Sequence, residues 1–503
     1  MKAGLILFAV GLLLGAVIVY AVTPSSTFYI SSGVYPGAPS YTIWREDSNY
    51  FAKDDNGMLK FSGTNETAVV ESSVNALTDG GKILLKDIQF PANVVLPSDV
   101  IIEEDYQGRV TYYPRKLFYK YYDGFKVFTR ISYRAIYEDN KIIMPYQDGT
   151  NISVKIYDYR NFTEIDDNVI DIDPLPGDCH GTPSMTKFGN YYVSIYGSHS
   201  WTGTLKVSYS TDLESWTTYN FPISGNYTYP QTFVWTDGDF YVVLRNSVSA
   251  TQTDERLYKC TDITNSGSWS LINVIVNNGN NWSPYVTTRL VNDCSRLLMA
   301  YSLYCESPAG FNNRTYAIYS DNLSTWYNVG DNQAITLPST DANSLLYQHS
   351  NITGSYDYAI EQTGNDIYVL AYEETRVGRL IKQTLGGAQT VYTLTGAYGR
   401  SSWMFATDDG GLRIFLARGE STSLSNYWRN YRWWWQVEKF KDGCFLVEEK
   451  IGLSDKAFLY PPYEVFGLTN VVMGSYTDES LNNQNSNVNT IILLERQDQK
   501  VFP

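Results

Sequence analysis

The segment YSTDLESW at residues 209–216 recurs in degenerate form as TDITNSGSW at 261–269 and as YSDNLSTW at 319–326. The tryptophans that end these segments are 53 and 57 residues apart. A period of about 40 to 50 residues is typical of architectures that repeat one four-stranded sheet. In each segment a polar turn would cap a hairpin, and the tryptophan would pack between neighbouring sheets. The repeat therefore predicts a chain of similar β-sheets.

Around these segments the chain is a succession of short strands separated by Asp-Gly, Gly-Asn and Asn-Gly turns. Examples are FGNYYVSIYG at 188–197, TDGDFYVVLR at 236–245 and GNDIYVLAY at 364–372. Alternation with period two, bounded by such turns, indicates half-buried strands, and no helical period of useful length accompanies it. We therefore predict an all-β fold, with a β-propeller of about seven blades over residues 116–503.

Residues 41–115 follow a different pattern. Thr67 to Leu77 is apolar on one helical face, and two glycines at 80 and 81 would end the helix. Short β-branched runs follow at 82–88, 94–97, 100–104 and 109–113. The stretch TAVVESSVNALTDGGKILLKD resembles the N-terminal cap and first coil of pectate-lyase-like β-helix proteins. The resemblance implies a small β-helix-like domain that serves as a spacer or cap.

The N-terminus has the pattern of an export signal. Ala3 to Val22 is uncharged and apolar, and about twenty such residues can cross a bilayer. We predict a signal-anchor or transmembrane helix at 1–24 and a Ser/Pro/Gly-rich stalk at 25–40. Val19-Tyr20-Ala21 loosely fits a cleavage site, so the alternative is a secreted protein. In both cases the body would be extracellular. Asn-x-Ser/Thr sequons at Asn65, Asn151, Asn161, Asn226, Asn281, Asn313, Asn322 and Asn351 agree with a surface glycoprotein.

The composition argues against a nucleic-acid partner. The chain has 43 Tyr and 12 Trp, only 18% charged residues and a net charge of −15. No run of Lys or Arg could follow a phosphate backbone. The same negative charge opposes binding of an anionic polysaccharide, unless a local basic pocket outweighs it.

The five cysteines form no dense disulfide framework. Cys294 and Cys305 flank the apolar run SRLLMAYSLY, which could fold back as a hairpin and bring the two sulfurs together. A metal site is the alternative use of these thiols, and the spacing does not determine the connectivity.

Two of the three histidines, His180 and His199, lie nineteen residues apart in one segment. If the strand between them is the inner strand of a blade, both side chains could face one cavity. In the next segment Tyr229 starts one strand and Arg245 ends its hairpin partner, so a tight turn would bring these two residues together. The sequence thus predicts one cluster of four polar side chains.

The motifs in this region are D-x-H-x-x-P, then G-S-H, then Y-P-Q, followed by D-G and an arginine that ends a strand. This pattern resembles the BNR-repeat family of polysaccharide lyases that includes ulvan lyases. The resemblance implies that His180 and His199 belong to the active centre, that Tyr229 transfers a proton, and that Arg245 binds the substrate carboxylate. A second tyrosine of the family corresponds to Tyr285, as a weaker match.

The resemblance is close over residues 170–320 and elsewhere is limited to the general pattern of a propeller. Cys179 beside the first histidine and Trp-Ser before Pro284 depart from the family pattern. The implied reaction is β-elimination from a uronate-containing glycan, which is an anionic polysaccharide.

This reaction needs a base, an acid and a cation for the carboxylate. Tyr, His and Arg supply these groups, so no cofactor or catalytic metal is expected, while a structural ion remains open. The first alternative is a non-catalytic protein that binds surface glycans or builds the cell envelope. A sialidase-like hydrolase ranks last, because the chain lacks an Arg-Ile-Pro motif.

Overall fold

The structure is a computed structural model that describes residues 40–46, 48–77, 81–86, 88, 100–106, 109–112, 116–125, 135–159, 163–176, 178–249, 251–279, 281–291, 294–306, 309–350, 358–373, 377–394, 397–407, 410–419, 433–454, 457–466, 471–478 and 488–495. The predicted anchor and all but the last residue of the stalk lie outside this part. Among the described residues, no helix is both long and apolar enough to cross a bilayer. The chain divides into two compact units, Met1–Tyr113 and Pro114–Pro503.

The first unit is one mixed sheet with a helix. Its elements are β1 (Tyr41–Glu46), β2 (Asn49–Asp54), β3 (Leu59–Gly63), α1 (Glu66–Asn75), β4 (Gly81–Lys86), β5 (Val100–Tyr106) and β6 (Arg109–Tyr112). The strand order is β3-β2-β1-β4-β5-β6, with β1, β4 and β5 parallel and the other pairs antiparallel. The run predicted at 94–97 lies outside the described residues.

Helix α1 confirms the predicted helix, with slightly different ends. The side chain of Asn65 caps it by accepting a hydrogen bond from the backbone N–H of Ala68. Val70 and Val74 pack with Ile83 in one hydrophobic cluster. The parallel pairing of β1, β4 and β5 agrees with a β-helix coil. The three flanking strands are antiparallel, which a β-helix coil would not contain. The β-helix-like domain therefore stays a prediction.

In the part of the second unit that the structure describes, seven successive groups of strands follow one another. The unit opens with β7 (Lys116–Phe125). The first three groups are β8 (Ala135–Glu138), β9 (Lys141–Gln147), β10 (Asn151–Asp158) and β11 (Glu164–Ile172); β12 (Ser184–Phe188), β13 (Tyr191–His199), β14 (Thr202–Ser210) and β15 (Thr217–Asn220); and β16 (Tyr227–Val234), β17 (Phe240–Ser249), β18 (Gln252–Cys260) and β19 (Trp269–Asn277).

The fourth group contains β20 (Trp282–Val291), β21 (Arg296–Glu306), β22 (Ala309–Phe311), β23 (Arg314–Ser320), β24 (Trp326–Asn328), β25 (Ala334–Ile335), helix α2 (Asp341–Ser344) and β26 (Leu345–Gln348). The remaining groups are β27 (Ala359–Thr363), β28 (Asp366–Tyr372), β29 (Gly378–Thr384) and β30 (Gln389–Leu394); β31 (Ala397–Ala406), β32 (Leu412–Gly419), β33 (Trp433–Lys441) and β34 (Cys444–Ser454); and β35 (Ala457–Phe466), β36 (Val471–Asp478) and β37 (Val488–Glu495).

Within each group the main strands pair antiparallel in chain order. The fourth strand of the last group is β7, which pairs with β37. In addition, β35 of the last group pairs with β8 of the first group. The first strands β8, β12 and β16 contact one another in turn, as do β20, β27, β31 and β35. The side chain of Gln231 in β16 joins the two series, because its amide binds the backbone of Val286 and Thr288 in β20. The unit is therefore all-β and propeller-like.

The repeated tryptophan segments form the turns between the third and fourth strands of their groups. In the turn at Asp212 the carboxylate accepts hydrogen bonds from two backbone N–H groups, and the Trp216 indole donates to the Leu213 carbonyl. Asn322 and Trp326 repeat this geometry. Trp326 and Trp269 are buried between neighbouring sheets, so their predicted packing role is confirmed. The assignment of these turns to the BNR motif stays a prediction.

The predicted hairpin between Cys294 and Cys305 is wrong. The apolar run between them is one continuous strand, β21, paired with β20 along its length. A strand of this length separates its ends by about 3.3 Å per residue. The two cysteines therefore lie at opposite ends of the strand and form no disulfide with each other.

Candidate active site

The first part of the site is the turn that leads into β12. Residues Cys179–Gly181 form one turn of 3-10 helix, and the Asp178 side chain caps it by accepting a hydrogen bond of 3.0 Å from the backbone N–H of His180. Asp and Asn favour such positions, because their short side chains reach the backbone two residues further on. The cap fixes His180 at the start of the second group of strands.

His199 comes to the same place at the end of β13. A bulge between Tyr196 and Ser198 interrupts the alternation of this strand. The bulge needs a glycine, since Gly197 has φ of 95° and a Cβ there would lie 2.2 Å from Cγ of Pro174. The glycine of the G-S-H motif is therefore required by the local backbone, and His199, two residues later, lies against the capped turn.

Asp178 joins the two histidines. One carboxylate oxygen contacts Nδ1 of His180 and the other lies 2.7 Å from Nδ1 of His199. Burial alone would raise the pKa of Asp178, but the hydrogen bonds from both imidazoles lower it well below its ordinary value. An ionised carboxylate can only accept, so both rings donate from Nδ1 and proton exchange falls to Nε2. The side chains of His180 and His199 are 21% and 30% exposed.

Tyr229 lies at a distorted position of β16. Its φ is 55°, and the register with β17 shifts between Thr228 and Gln231. A non-glycine residue in this left-handed region is uncommon and is concentrated at functional sites. The bulge places the Tyr229 ring 5.7 Å from the His180 ring and 6.1 Å from the Tyr285 ring, measured between centroids.

The guanidinium of Arg245 lies against the rings of both tyrosines. The guanidinium carbon is 4.4 Å from the Tyr229 ring centroid and 4.9 Å from that of Tyr285. The residue is only 5% exposed, and its Nε has no hydrogen-bond partner among the described residues. Burial would lower the pKa of Arg245, but the two tyrosines and a hydrogen bond with Tyr285 raise it above the ordinary value. A charge this buried needs an anion or aromatic faces to offset its desolvation.

A buried carboxyl group faces Arg245 across the hairpin. Glu255 is its partner in the β17–β18 register and is 2% exposed. Burial raises the pKa of Glu255 well above the ordinary value, and Asp254 adds to this, although Arg245 opposes it. The raised pKa favours the neutral acid over the carboxylate.

All five site residues named from the sequence meet in this cluster: His180, His199, Tyr229, Tyr285 and Arg245. Their roles stay predictions. Sequence reasoning missed Asp178, although it is the first residue of the quoted D-x-H motif. It also missed Glu255, which the hairpin register opposite Arg245 could have indicated.

Asp178, His180 and His199 offer atoms close enough together to hold a metal ion. The ring geometry does not suit shared ligation, because the two imidazoles are stacked with 3.8 Å between centroids and 11° between planes. A metal must lie near the plane of each imidazole that binds it, and two nearly parallel planes do not meet at one ion. Ligation by both histidines would require one ring to rotate away from Asp178.

Comparison with known proteins shows similarity at the level of the fold. No known family profile matches the chain, and no curated protein matches it. An ulvan lyase from a new family of polysaccharide lyases has a TM-score of 0.59 and 15% identity, over 75% of this chain and 95% of the lyase. The ulvan lyase bound to a glucuronate–rhamnose sulfate saccharide gives 0.60 and 15% over the same shares.

A third solved structure, polysaccharide lyase Uly1, has a TM-score of 0.51 and 14% identity, over 73% of this chain and 91% of that protein. At such identities the similarity concerns the fold alone. The chain therefore has a polysaccharide-lyase-like fold.

Proposed function

We propose that this chain is a polysaccharide lyase that cleaves uronate-containing glycans by β-elimination, and that its seven groups of strands close into a seven-bladed propeller. The observation that carries the proposal is the position of Arg245, a buried cation in contact with Tyr229 and Tyr285, the first of which lies beside His180. The lyase-like fold supports it.

The reaction removes the proton at C5 of the uronate and breaks the bond between C4 and O4. The electron pair of the C5–H bond forms the C4=C5 double bond, and the departing O4 takes up a proton. No oxidant or reductant is needed, so the protein must supply a base, an acid and a positive charge.

Arg245 supplies the positive charge. The carboxylate makes the C5 proton removable only if its own charge is balanced, because negative charge spreads into it as the proton leaves. Arginine suits this task, since its planar guanidinium can donate two parallel hydrogen bonds, one to each carboxylate oxygen. The rings of Tyr229 and Tyr285, which lie next to each other and both contact the guanidinium, restrict its orientation before the substrate arrives.

The histidine pair acts as the base and Tyr229 as the acid. Ionised Asp178 stabilises the imidazolium that forms when Nε2 takes up a proton, as in other carboxylate–histidine pairs. Tyr229 carries a phenolic proton and lies next to the His180 ring, so it can protonate O4. The proton then returns from the imidazolium to the phenolate, which restores the starting state.

We also propose an extracellular location, which rests on the apolar run from Ala3 to Val22 and on the sequons. Among the sequon asparagines, Asn65, Asn281 and Asn322 are exposed and could carry glycans. Cell fractionation of the full chain, with and without residues 3–22, tests the location.

The activity is tested by incubating the purified full-length protein with a panel of uronate polymers and following the ultraviolet absorbance of the unsaturated product. We expect product from at least one polymer, and loss of product with Arg245→Ala. Binding of a polymer without any unsaturated product would instead favour a non-catalytic glycan-binding protein.

A further inference from the structure

Two adjoining cavities, of about 640 and 320 Å³, lie between the third and fourth groups of strands. They share Asn278, Arg314 and Asp341, and the smaller one is also lined by Trp282 and Asn312. Cavities of roughly 300 to 1,000 Å³ are the usual size of small-molecule sites. The mechanism proposed above uses none of these residues.

The cavities lie beside the candidate active site. Asn278 is in the connection from β19 to β20, and Trp282 begins β20, the strand that carries Tyr285. Three residues of strand span roughly 10 Å. Along the backbone, the first residue of β20, which lines the smaller cavity, is therefore only about 10 Å from Tyr285.

The polar groups of the cavities suit hydroxyl groups. Asn278 Oδ1 accepts a hydrogen bond of 2.6 Å from the backbone N–H of Asp341, but its Nδ2 is buried and has no partner among the described residues. A buried donor without a partner is costly. Amide side chains offer both donors and acceptors, as a sugar hydroxyl does.

The charges of the cavities are balanced. Arg314 forms an ion pair with Asp341, which also accepts a hydrogen bond of 2.6 Å from the Tyr316 hydroxyl. The cation is thus already neutralised, and the whole chain carries a net charge of −15. A sulfate or carboxylate would meet no uncompensated positive charge here.

We propose that these cavities are a subsite for an uncharged sugar unit adjacent to the uronate at Arg245, an inference that rests on the proposed function. Asn278 Nδ2 donates to a ring hydroxyl, and Trp282 packs its flat face on the apolar face of the sugar. The subsite selects glycans in which the uronate alternates with a neutral sugar over those in which it alternates with a sulfated one.

The test measures binding by calorimetry in a full-length Tyr229→Phe background, so that no probe is cleaved. The probes are oligosaccharides of ulvan, of chemically desulfated ulvan and of hyaluronan. Asn278→Asp keeps the acceptor oxygen but replaces the free donor by a second acceptor and adds a negative charge, while Trp282→Ala removes the aromatic face. Trp282→Phe retains an aromatic ring, and Asn220→Asp adds the same charge at an exposed position outside the cavities.

We expect at least one of the two sulfate-free probes to bind more tightly than ulvan oligosaccharides. Asn278→Asp and Trp282→Ala should weaken this binding about threefold to tenfold, while Trp282→Phe and Asn220→Asp stay within about twofold of the background. Equal binding by Asn278→Asp, Trp282→Ala and the background, or no binding of any probe, would overturn the subsite. Failure of the lyase proposal is a separate result, namely no unsaturated product from the unsubstituted protein while the binding effects remain.

Discussion

The imidazole rings of His180 and His199 lie face to face, with 3.8 Å between their centroids. Two positive charges at this spacing would repel each other by about 4 kcal/mol at an effective dielectric constant of about 20. Asp178, which contacts both rings, can offset one positive charge but not two. The pair therefore takes up one proton at a time and acts as a single acid–base unit.

Substitution of either histidine by glutamine should lower kcat by about 10²- to 10⁴-fold, because it removes the general base. If His180 and His199 act as one unit, the double variant should lose no more than the poorer single variant. Initial rates of formation of the unsaturated product measure all three. Losses that multiply in the double variant would show instead that the two histidines act independently.

Asp178→Asn tests whether the carboxylate orients both rings. An amide has one acceptor oxygen, and its NH2 group donates, so one histidine would be forced into the other tautomer. We expect the rate to fall by about 10²-fold or more, with a change in the acid side of the pH–rate profile. Because the pKa of Asp178 is far below its ordinary value, the carboxylate stays ionised across the pH range of the assay in the unsubstituted protein. An unchanged rate and profile would exclude the positioning role.

The sequence predicts the parts of this site that depend on short-range patterns. Strand alternation and tight turns are local, so the hairpin that joins Tyr229 to Arg245 follows from them. Asp178 depends on a contact with His199, twenty-one residues further along, through a glycine bulge that no alternation rule indicates. The hairpin expected between Cys294 and Cys305 fails for a local reason, because the run between them contains no Gly, Pro, Asn or Asp and extends as one long strand.

Arg245→Lys tests the planar contact of the guanidinium. Lysine keeps the charge but has no planar group to lie against the rings of Tyr229 and Tyr285, and it cannot bind a carboxylate with two parallel hydrogen bonds. We expect kcat/KM to fall by about 10²-fold. Arg256→Lys is the matched control, because Arg256 pairs with Asp254 outside the cluster, and should change kcat/KM by about twofold at most. Equal effects of the two substitutions would refute the special role of Arg245.

Glu255→Gln tests the neutral state of the buried carboxyl. The pKa of Glu255 is raised by burial, so the folded protein holds the proton more tightly than the unfolded chain does. The stability that this difference in proton binding gives is complete at pH values below the ordinary pKa of a glutamate. It is lost as the pH rises toward the pKa that Glu255 has in the folded protein. Glutamine has the same shape as the neutral acid and does not titrate, so the variant does not lose this stability as the pH rises. In denaturant titrations the variant should be more stable than the unsubstituted protein at pH 7, by at least about 1 kcal/mol, and equal to it near pH 4.

Activity provides the second measurement on Glu255→Gln. Since Arg245 does not depend on an ionised Glu255 for its charge, the variant should retain most of kcat/KM. A loss of stability at pH 7 would instead indicate that Glu255 is ionised and neutralises Arg245, and the buried cation would then be unsuited to a second carboxylate.

The third histidine, His349, has a structural role that pH can reveal. Its side chain is fully buried, with Nε2 2.8 Å from the Thr315 hydroxyl and Nδ1 near Glu373. Burial lowers the pKa of His349 to about 4, although Glu373 opposes the shift. A lowered pKa means that the folded state favours the neutral ring, so stability is complete above about 6.5 and is lost as the pH falls toward 4, by up to about 3 kcal/mol. His349→Gln should therefore flatten the dependence of the unfolding free energy on pH over this window. Equal slopes for His349→Gln and the unsubstituted protein would show that burial does not shift the pKa of His349.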